Sequence, residues 1–224
     1  MSVSALTPRG NGSRYIVVEG PIGVGKTALA KRLAESLSGE LVLEEVLANP
    51  FLERFYRDGT SAALPAQMFF LFERARQIGG LRQSDLFAEV RVADYLFAKD
   101  RLFAELNLDG DELRLYDQVA ENLDVEPPVP DLVIYLQASV DALMERIWRR
   151  ERPFEQAIER GYLERVADAY ARFFHAYDES PLLIVNASQI DPVNIDADYE
   201  QLFAQIERTT GGRHFFNPAS AALA

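Results

Sequence analysis

The chain has 224 residues, enough for one domain with a full core, and it has no cysteine, which excludes disulfides, thiolate metal sites and thiol catalysis. Its formal net charge of −12 disfavours long nucleic acid or an anionic membrane as a partner, because both bind a net basic face. No apolar stretch approaches the ~18 residues of a membrane span, and the first residues lack the apolar core of a signal peptide. We therefore expect a cytoplasmic protein that binds neither nucleic acid nor membrane.

Strand-like and helix-like patterns alternate along the chain. Strands are predicted at 15–19, 40–45, 89–93, 131–137 and 182–186. Helices are predicted at 26–38, 50–57, 62–79, 94–106, 112–123, 139–150, 162–177 and 199–208. This alternation predicts an α/β fold with a parallel sheet of about five strands, covered by helices on both faces. We expect one domain over 14–208, with disorder in 1–13 and in a tail at 209–224.

The most specific motif is the segment GPIGVGKT at 20–27. It follows the first predicted strand and opens the first predicted helix, as the phosphate-binding P-loop pattern G-x-x-x-x-G-K-[ST] requires. Glycines let successive N–H groups point at phosphate oxygens, the lysine brings a charge to the outer phosphates, and the threonine hydroxyl is offered to Mg²⁺. The motif therefore predicts a bound nucleoside triphosphate, held by Gly20, Pro21, Ile22, Gly23, Val24, Gly25, Lys26 and Thr27.

Two other branches of the P-loop superfamily are disfavoured. The chain has no N-K-x-D guanine signature, unlike switch GTPases, and no apolar strand ending in Asp-Glu, unlike motor and transporter ATPases. Its two histidines, His175 and His214, lie in an aromatic helix and in the expected tail. We therefore expect a carboxylate as the general base.

The order and spacing of further motifs, from about residue 15 to 190, resemble the deoxynucleoside kinase family. The P-loop is followed by Glu44-Glu45-Val46, Tyr56, Gln67, Arg74, Asp94, Asp100 and the segment RIWRRERPFE at 146–155. The resemblance implies a three-layer P-loop kinase fold with an arginine-rich lid and a homodimeric assembly. It also implies transfer of the γ-phosphoryl group of ATP, with Mg²⁺, to the 5′-hydroxyl of a deoxynucleoside, as in nucleotide salvage.

The 5′-hydroxyl is a poor nucleophile, so a carboxylate near the sugar must accept or orient its proton. Glu44, at the end of the second predicted strand, is the candidate, because Glu45 would point to the opposite side. By the resemblance, Tyr56 and Glu155 hold the sugar 3′-hydroxyl, and Gln67 binds the base edge.

A charged pair of Arg74 and Asp100 is implied to read the exocyclic groups of the base. Gln67 and Arg74 are seven residues apart, which places them on one face of a helix. Because thymidine-preferring members of the family lack this pair, a deoxypurine or deoxycytidine is the favoured acceptor.

Three arginines, Arg146, Arg150 and Arg152, are predicted to be catalytic together with Lys26. Phosphoryl transfer concentrates negative charge on equatorial oxygens, and planar guanidinium groups bind such oxygens in pairs. Pro153 interrupts the segment between two predicted helices, as a mobile lid allows.

One family motif is altered in this chain. Members usually carry Glu-Arg-Ser or Asp-Arg-Ser after the third strand, and the matching positions here are Asp94-Tyr95-Leu96. Asp94 keeps a carboxylate that can hold Mg²⁺ through water or orient the sugar. The arginine has no counterpart at Tyr95, so either a lid arginine takes its place or the alignment is shifted by a few residues.

Two other functions stay open at this point. A nucleoside monophosphate kinase of the thymidylate type has a similar architecture and needs an arginine at the acceptor phosphate beyond those of the lid. A nucleotide-binding regulatory protein would bind ATP without transferring phosphate.

Overall fold

The computed structural model describes residues 14–83, 89–123 and 125–218, so the disorder expected for 1–13 lies outside the described residues. The strands are β1 Arg14–Glu19, β2 Glu40–Val42, β3 Val90–Ala93, β4 Leu132–Gln137, β5 Leu182–Asn186 and β6 Arg213–Phe216. The helices are α1 Lys26–Ser36, α2 Leu52–Asp58, α3 Ala63–Gln83, α4 Lys99–Asn107, α5 Gly110–Leu123, α6 Val140–Arg149, α7 Arg160–Ala176 and α8 Asp196–Arg208. In this part of the chain, no helix is long and apolar enough to cross a membrane.

The strands form one parallel sheet in the order β2-β3-β1-β4-β5-β6. β1 lies between β3 and β4, and Ile16 pairs with Val92 on one side and Leu132 on the other. All three residues are fully buried because helices cover both faces of the sheet. The strand order changes direction beside β1, so the loop that follows β1 opens at a switch point, where parallel sheets bind ligands.

The α/β fold and the five predicted strands are confirmed, and a sixth strand was missed. Residues 213–216 were expected to belong to a disordered tail, but they form β6 and pair with β5 from Leu182↔Arg213 to Val185↔Phe216. β6 is a short edge strand whose residues alternate between exposed and half-buried, and Phe215 is 73% exposed. So brief a pattern at a sheet edge carries little hydrophobic signal.

The helix predicted at 94–106 begins later than expected, at Lys99. Residues 94–98 instead connect the end of β3 to α4, and the buried carboxylate of Glu19 accepts a hydrogen bond from the N–H of Leu96 at 2.6 Å. This hydrogen bond ties residues 94–98 to β1 and keeps their backbone from joining the helix. Asp94 therefore lies at the carboxyl end of the sheet and not within a helix.

Candidate active site

The loop at 20–27 has the conformation of a phosphate cradle. Gly23 and Gly25 have φ values of +88° and +108°, which only glycine adopts readily, and a Cβ on Gly23 would lie 2.9 Å from the backbone oxygen of Leu143. Lys26 Nζ donates to the carbonyl oxygens of Gly20 at 2.7 Å and Pro21 at 3.2 Å. Burial and, next, the charge of Lys99 lower the pKa of Lys26 to about 8. A phosphate bound here would counter both effects.

A cavity of about 930 Å³, counting its open mouth, joins this loop to α2, α3, α4 and the segment after α6. Its volume is in the range of small-molecule sites. The predicted site residues that line it are Ile22, Gly23, Gly25, Lys26, Thr27, Glu44, Tyr56, Gln67, Arg74, Asp94, Arg150, Arg152 and Glu155. The structure thus brings most of the predicted site into one space.

Glu44 lies just after β2, its side chain in contact with two cations. Arg74 Nε donates to Oε1 at 2.9 Å, and Lys99 Nζ donates to Oε2 at 2.8 Å. Burial alone raises the pKa of Glu44, but the charges and hydrogen bonds of Arg74 and Lys99 outweigh it and lower the pKa to about 2. Glu44 is therefore ionised at neutral pH, whereas Glu45 is exposed.

Gln67 and Arg74 lie on the same face of α3, as their spacing predicted, and both contact Asp100. Gln67 Nε2 donates to the Asp100 carbonyl oxygen and to Oδ1, each at 2.9 Å, and Arg74 Nη1 pairs with the same Oδ1. Asp100 itself is 1% exposed and does not line the cavity; its Oδ2 accepts from the Tyr116 hydroxyl at 2.6 Å. It therefore acts on the cavity through Gln67 and Arg74.

Tyr56 and Glu155 both line the cavity. Glu155 Oε1 accepts from Arg152 Nη1 at 3.0 Å, whereas Oε2 is buried and has no hydrogen-bond partner among the described residues. Burial, and after it the charges of neighbours that include Glu155, raises the pKa of Tyr56, so its hydroxyl stays protonated as a donor. The Tyr56 ring stacks on Phe154 at 6.3 Å between centroids.

The three predicted lid arginines occupy two places. Arg150 and Arg152 line the main cavity, and the Nη1 atom of Arg150 is 3.9 Å from Glu155 Oε1. Arg146 donates to the carbonyl oxygens of Val24 at 3.2 Å and Ala187 at 2.6 Å, on the outer side of the P-loop. Arg146 is thus separated from the acceptor side of the cavity.

Sequence reasoning missed Lys99 and Glu19. Lys99 is 3% exposed, lines the cavity and contacts Glu44; Glu19 is fully buried below the loop and accepts from the Gly20 N–H at 2.8 Å and the Tyr170 hydroxyl at 3.0 Å. The one sign of Lys99 in the sequence was a lysine close to apolar residues, in the segment LFAKDRLFA at 96–104.

Thr27 and Asp94 meet at the floor of the cavity. Thr27 Oγ1 donates to Asp94 Oδ2 at 2.6 Å, and Asp94 Oδ1 accepts from the Glu44 N–H at 2.8 Å. Among the described residues, no three His, Cys, Asp or Glu side chains are grouped as a metal site. A hydroxyl and one carboxylate fit Mg²⁺, which binds few protein ligands and takes the rest from phosphates and water.

Comparison with known proteins gives the family. A model of the family described as "Deoxynucleoside kinase" matches residues 16–210. The chain belongs to the deoxynucleoside kinase family. It is 34% identical over 204 residues to a deoxyguanosine kinase of Bacillus subtilis, covering 88% of this chain and 98% of that protein. It is 32% identical over 204 residues to a deoxyadenosine kinase of Lactobacillus acidophilus, covering 84% and 93%.

Solved structures agree on the fold. A deoxyadenosine kinase from M. mycoides with dCMP and dCDP bound has a TM-score of 0.75 and 24% identity, with 87% of this chain and 99% of that chain covered. The same enzyme with bound dATP has a TM-score of 0.74, with 86% and 98% covered. The solved structures thus confirm the expected fold. The family match and the relatives confirm the expected family and enzyme class: this kinase transfers a phosphoryl group from ATP to a deoxynucleoside.

Proposed function

We propose that this kinase phosphorylates the 5′-hydroxyl of a deoxypurine nucleoside or of deoxycytidine, and does so better than that of thymidine. The observation that carries the proposal is the contact of Gln67 with Asp100. Both N–H groups of the Gln67 amide are directed to Asp100, which leaves Oε1 to accept from a ligand. Adenine, guanine and cytosine carry an exocyclic amino group that can donate to it; thymine has only its ring N3–H, and its O4 finds no amide N–H, because those of Gln67 are directed to Asp100. The similar deoxyguanosine and deoxyadenosine kinases support this choice.

The donor is proposed to bind with its phosphates in the loop at 20–27. Backbone N–H groups and the N-terminus of α1 face the phosphate oxygens, and Lys26 exchanges its contacts with Gly20 and Pro21 for the outer phosphates. Thr27 and Asp94 would hold Mg²⁺, which would neutralise negative charge on the phosphates. Arg146 lies on the donor side and Arg150 and Arg152 face the transferred group.

The acceptor is proposed to bind along α2 and α3. Its 3′-hydroxyl donates to Glu155 Oε2, which has no partner in the part of the chain that the structure describes, and accepts from Tyr56. Its 5′-hydroxyl points to Glu44. Because the pKa of Glu44 is about 2, Glu44 is a weak base. It orients the hydroxyl for in-line attack and accepts its proton late, as a loose transition state allows.

Assembly and location are also proposals. A homodimer is supported by exposed apolar residues on two neighbouring helices, Phe72 of α3 at 49% and Leu115 of α5 at 48%. Helix α4 fits such an interface less well, because it packs between α3 and α7. A cytoplasmic location is supported by the absence of cysteine.

Incubation with ATP, Mg²⁺ and each of the four deoxynucleosides tests the acceptor. We expect a monophosphate from deoxyguanosine, deoxyadenosine or deoxycytidine at a higher kcat/KM than from thymidine. Thymidine as the best acceptor contradicts the base preference. No product from any nucleoside contradicts the proposed function, and phosphorylation of a nucleoside monophosphate instead would select the thymidylate-type activity.

Replacing Glu44 by Gln tests the proposed base. Glu44→Gln should lower kcat by at least about a hundredfold, the low end of general-base contributions, while ATP still binds. The matched control is Glu45→Gln, since Glu45 is the exposed neighbour. Unchanged turnover in Glu44→Gln would exclude Glu44 as the base. ATP binding without turnover in the wild type would favour a regulatory protein.

A further inference from the structure

The position where a motif arginine was expected holds an uncharged, fully engaged side chain. Tyr95 is 1% exposed, and its hydroxyl donates to Gln77 Oε1 at 2.7 Å. Burial raises its pKa well above the usual value, so the phenol is neutral. Tyr95 therefore supplies no positive charge to the carboxylates around it.

A cation does reach that space, from the first residue of α4. Lys99 Nζ lies 2.8 Å from Glu44 Oε2 and 5.7 Å from the centre of the Tyr95 ring. The side chain is only 4% exposed. A buried ammonium group is stable only when it is paired, and the carboxylate of Glu44 is its hydrogen-bonded partner.

A second carboxylate, that of Glu19, does not account for the placement of Lys99. Glu19 Oε2 is 3.9 Å from Lys99 Nζ and already accepts from the Leu96 N–H at 2.6 Å. Glu19 Oε1 accepts from the Gly20 N–H and the Tyr170 hydroxyl. Both oxygens of Glu19 thus have hydrogen-bond donors other than Lys99, and the short contact of Lys99 is the one with Glu44.

The two oxygens of Glu44 are divided between two cations. Arg74 binds Oε1 and Lys99 binds Oε2, and Arg74 is also engaged with Asp100. Arg74 donates to Oε1 through both Nε and Nη2, whereas Oε2 accepts one hydrogen bond, from Lys99. Each carboxylate oxygen can accept two hydrogen bonds, so the room for a substrate hydroxyl is at Oε2, the oxygen that Lys99 binds. Arg74 ties Glu44 to the base-reading side, and Lys99 fixes the orientation of the carboxylate from the side of the P-loop.

We propose that Lys99 is a positioning residue for phosphoryl transfer, holding the Glu44 carboxylate toward the acceptor hydroxyl in the place where the motif arginine is missing. This inference rests on the proposed function, because it acts through Glu44. Lys99 does not need to touch the acceptor, and its removal should impair the chemical step and not binding.

The first test compares Lys99→Met, which keeps the length of the side chain and removes its charge, with Lys99→Arg, which keeps the charge. For Lys99→Met we expect kcat to fall about a hundredfold, with both KM values within about threefold of wild type. Lys99→Arg should keep at least about a third of the wild-type kcat. The matched control is Lys31→Met, because Lys31 is an exposed lysine of α1. A Lys99→Met enzyme within threefold of wild type, or a Lys99→Arg enzyme as impaired as Lys99→Met, overturns the proposal.

The second test separates positioning from a merely structural role. In a Glu44→Gln background no carboxylate remains to be oriented, so adding Lys99→Met should lower kcat by less than about threefold more. If the kcat loss of the double variant equals the product of the losses of the two single variants, the proposal is overturned. If Lys99→Met does not fold by circular dichroism, Lys99→Leu, which also removes both the charge and the N–H donor, is used in both backgrounds with the same criteria. A wild-type enzyme that phosphorylates no nucleoside is a failure of the proposed function and is seen before any variant is made.

Discussion

The donor side and the acceptor side of the cavity are built in opposite ways. The donor side is built mainly from one continuous loop, 20–27, in which Lys26 contacts carbonyl oxygens five and six residues earlier. The acceptor side is assembled from distant parts of the chain: Arg74 reaches Glu44 across 30 positions, and Lys99 reaches Glu44 across 55. The first is fixed by local backbone geometry, and the second by contacts that exist only after folding.

The difference also concerns what holds each side in place. The loop depends on glycine conformations and close backbone packing, as at Gly23. The acceptor side depends on charge balance among buried groups, so each removal leaves another group unpaired, which is costly in a low dielectric. Substitutions on the donor side should therefore impair phosphate binding alone. A substitution on the acceptor side should also disturb the other buried charged groups there.

The largest effect is expected for Lys26→Met. Loss of the only charged side chain of the loop should lower kcat/KM for ATP by about a thousandfold, the upper range for removing one stabilising donor at a developing charge. Because the hydrogen bonds that Lys26 makes in the described chain stay within the loop, calorimetric binding of the deoxynucleoside should change little. Lys31→Met, an exposed lysine on the same helix, is the control. Loss of acceptor binding in Lys26→Met would break the separation of the two sides.

The same contrast explains what the sequence could predict. The P-loop was readable because its partners lie within eight residues, and the pair of Gln67 and Arg74 was readable because a helix returns every seventh residue to one face. In the structure the loop has the conformation of a cradle, and both side chains contact Asp100. The binding roles of these residues stay predictions.

Lys99 could not be found in this way. Its partner Glu19 ends β1 and its partner Glu44 follows β2, both far from Lys99 in the chain, and in a predicted helix at 94–106 a lysine is expected to face solvent. The helix in fact begins at Lys99 because Glu19 binds the backbone of Leu96, a contact across 77 positions that no local pattern encodes. For Arg146, the sequence predicted that it belongs to the arginine cluster. It could not predict that Arg146 contacts Val24 and Ala187 on the donor side.

An intermediate effect is expected for Asp100→Asn. The change keeps the shape but removes the anion that holds Arg74, whose side chain is 5% exposed. Acceptor kcat/KM should fall about a hundredfold, mainly through KM, and breaking the buried pair should cost about 3–5 kcal/mol of unfolding free energy. Steady-state kinetics and urea unfolding measure the two effects.

The control for this change is Asp111→Asn, whose side chain is 87% exposed at the start of α5. The affinity for ATP should stay the same in both variants. A parallel loss of ATP affinity in Asp100→Asn would show that the buried charges couple the acceptor side to the loop, contrary to the separation described above.

The smallest and most selective effect is expected for Glu155→Gln. Its buried Oε2 has no partner in the described chain and is proposed to accept from the 3′-hydroxyl, so the variant should lose about tenfold of the preference for a deoxynucleoside over its 2′,3′-dideoxy analogue. The ratio of the two kcat/KM values measures this, with exposed Glu159→Gln as control. An unchanged ratio would mean that Glu155 binds Arg152 but not the 3′-hydroxyl. A fall confined to acceptors with a 3′-hydroxyl would show that even lid residues divide between the two sides.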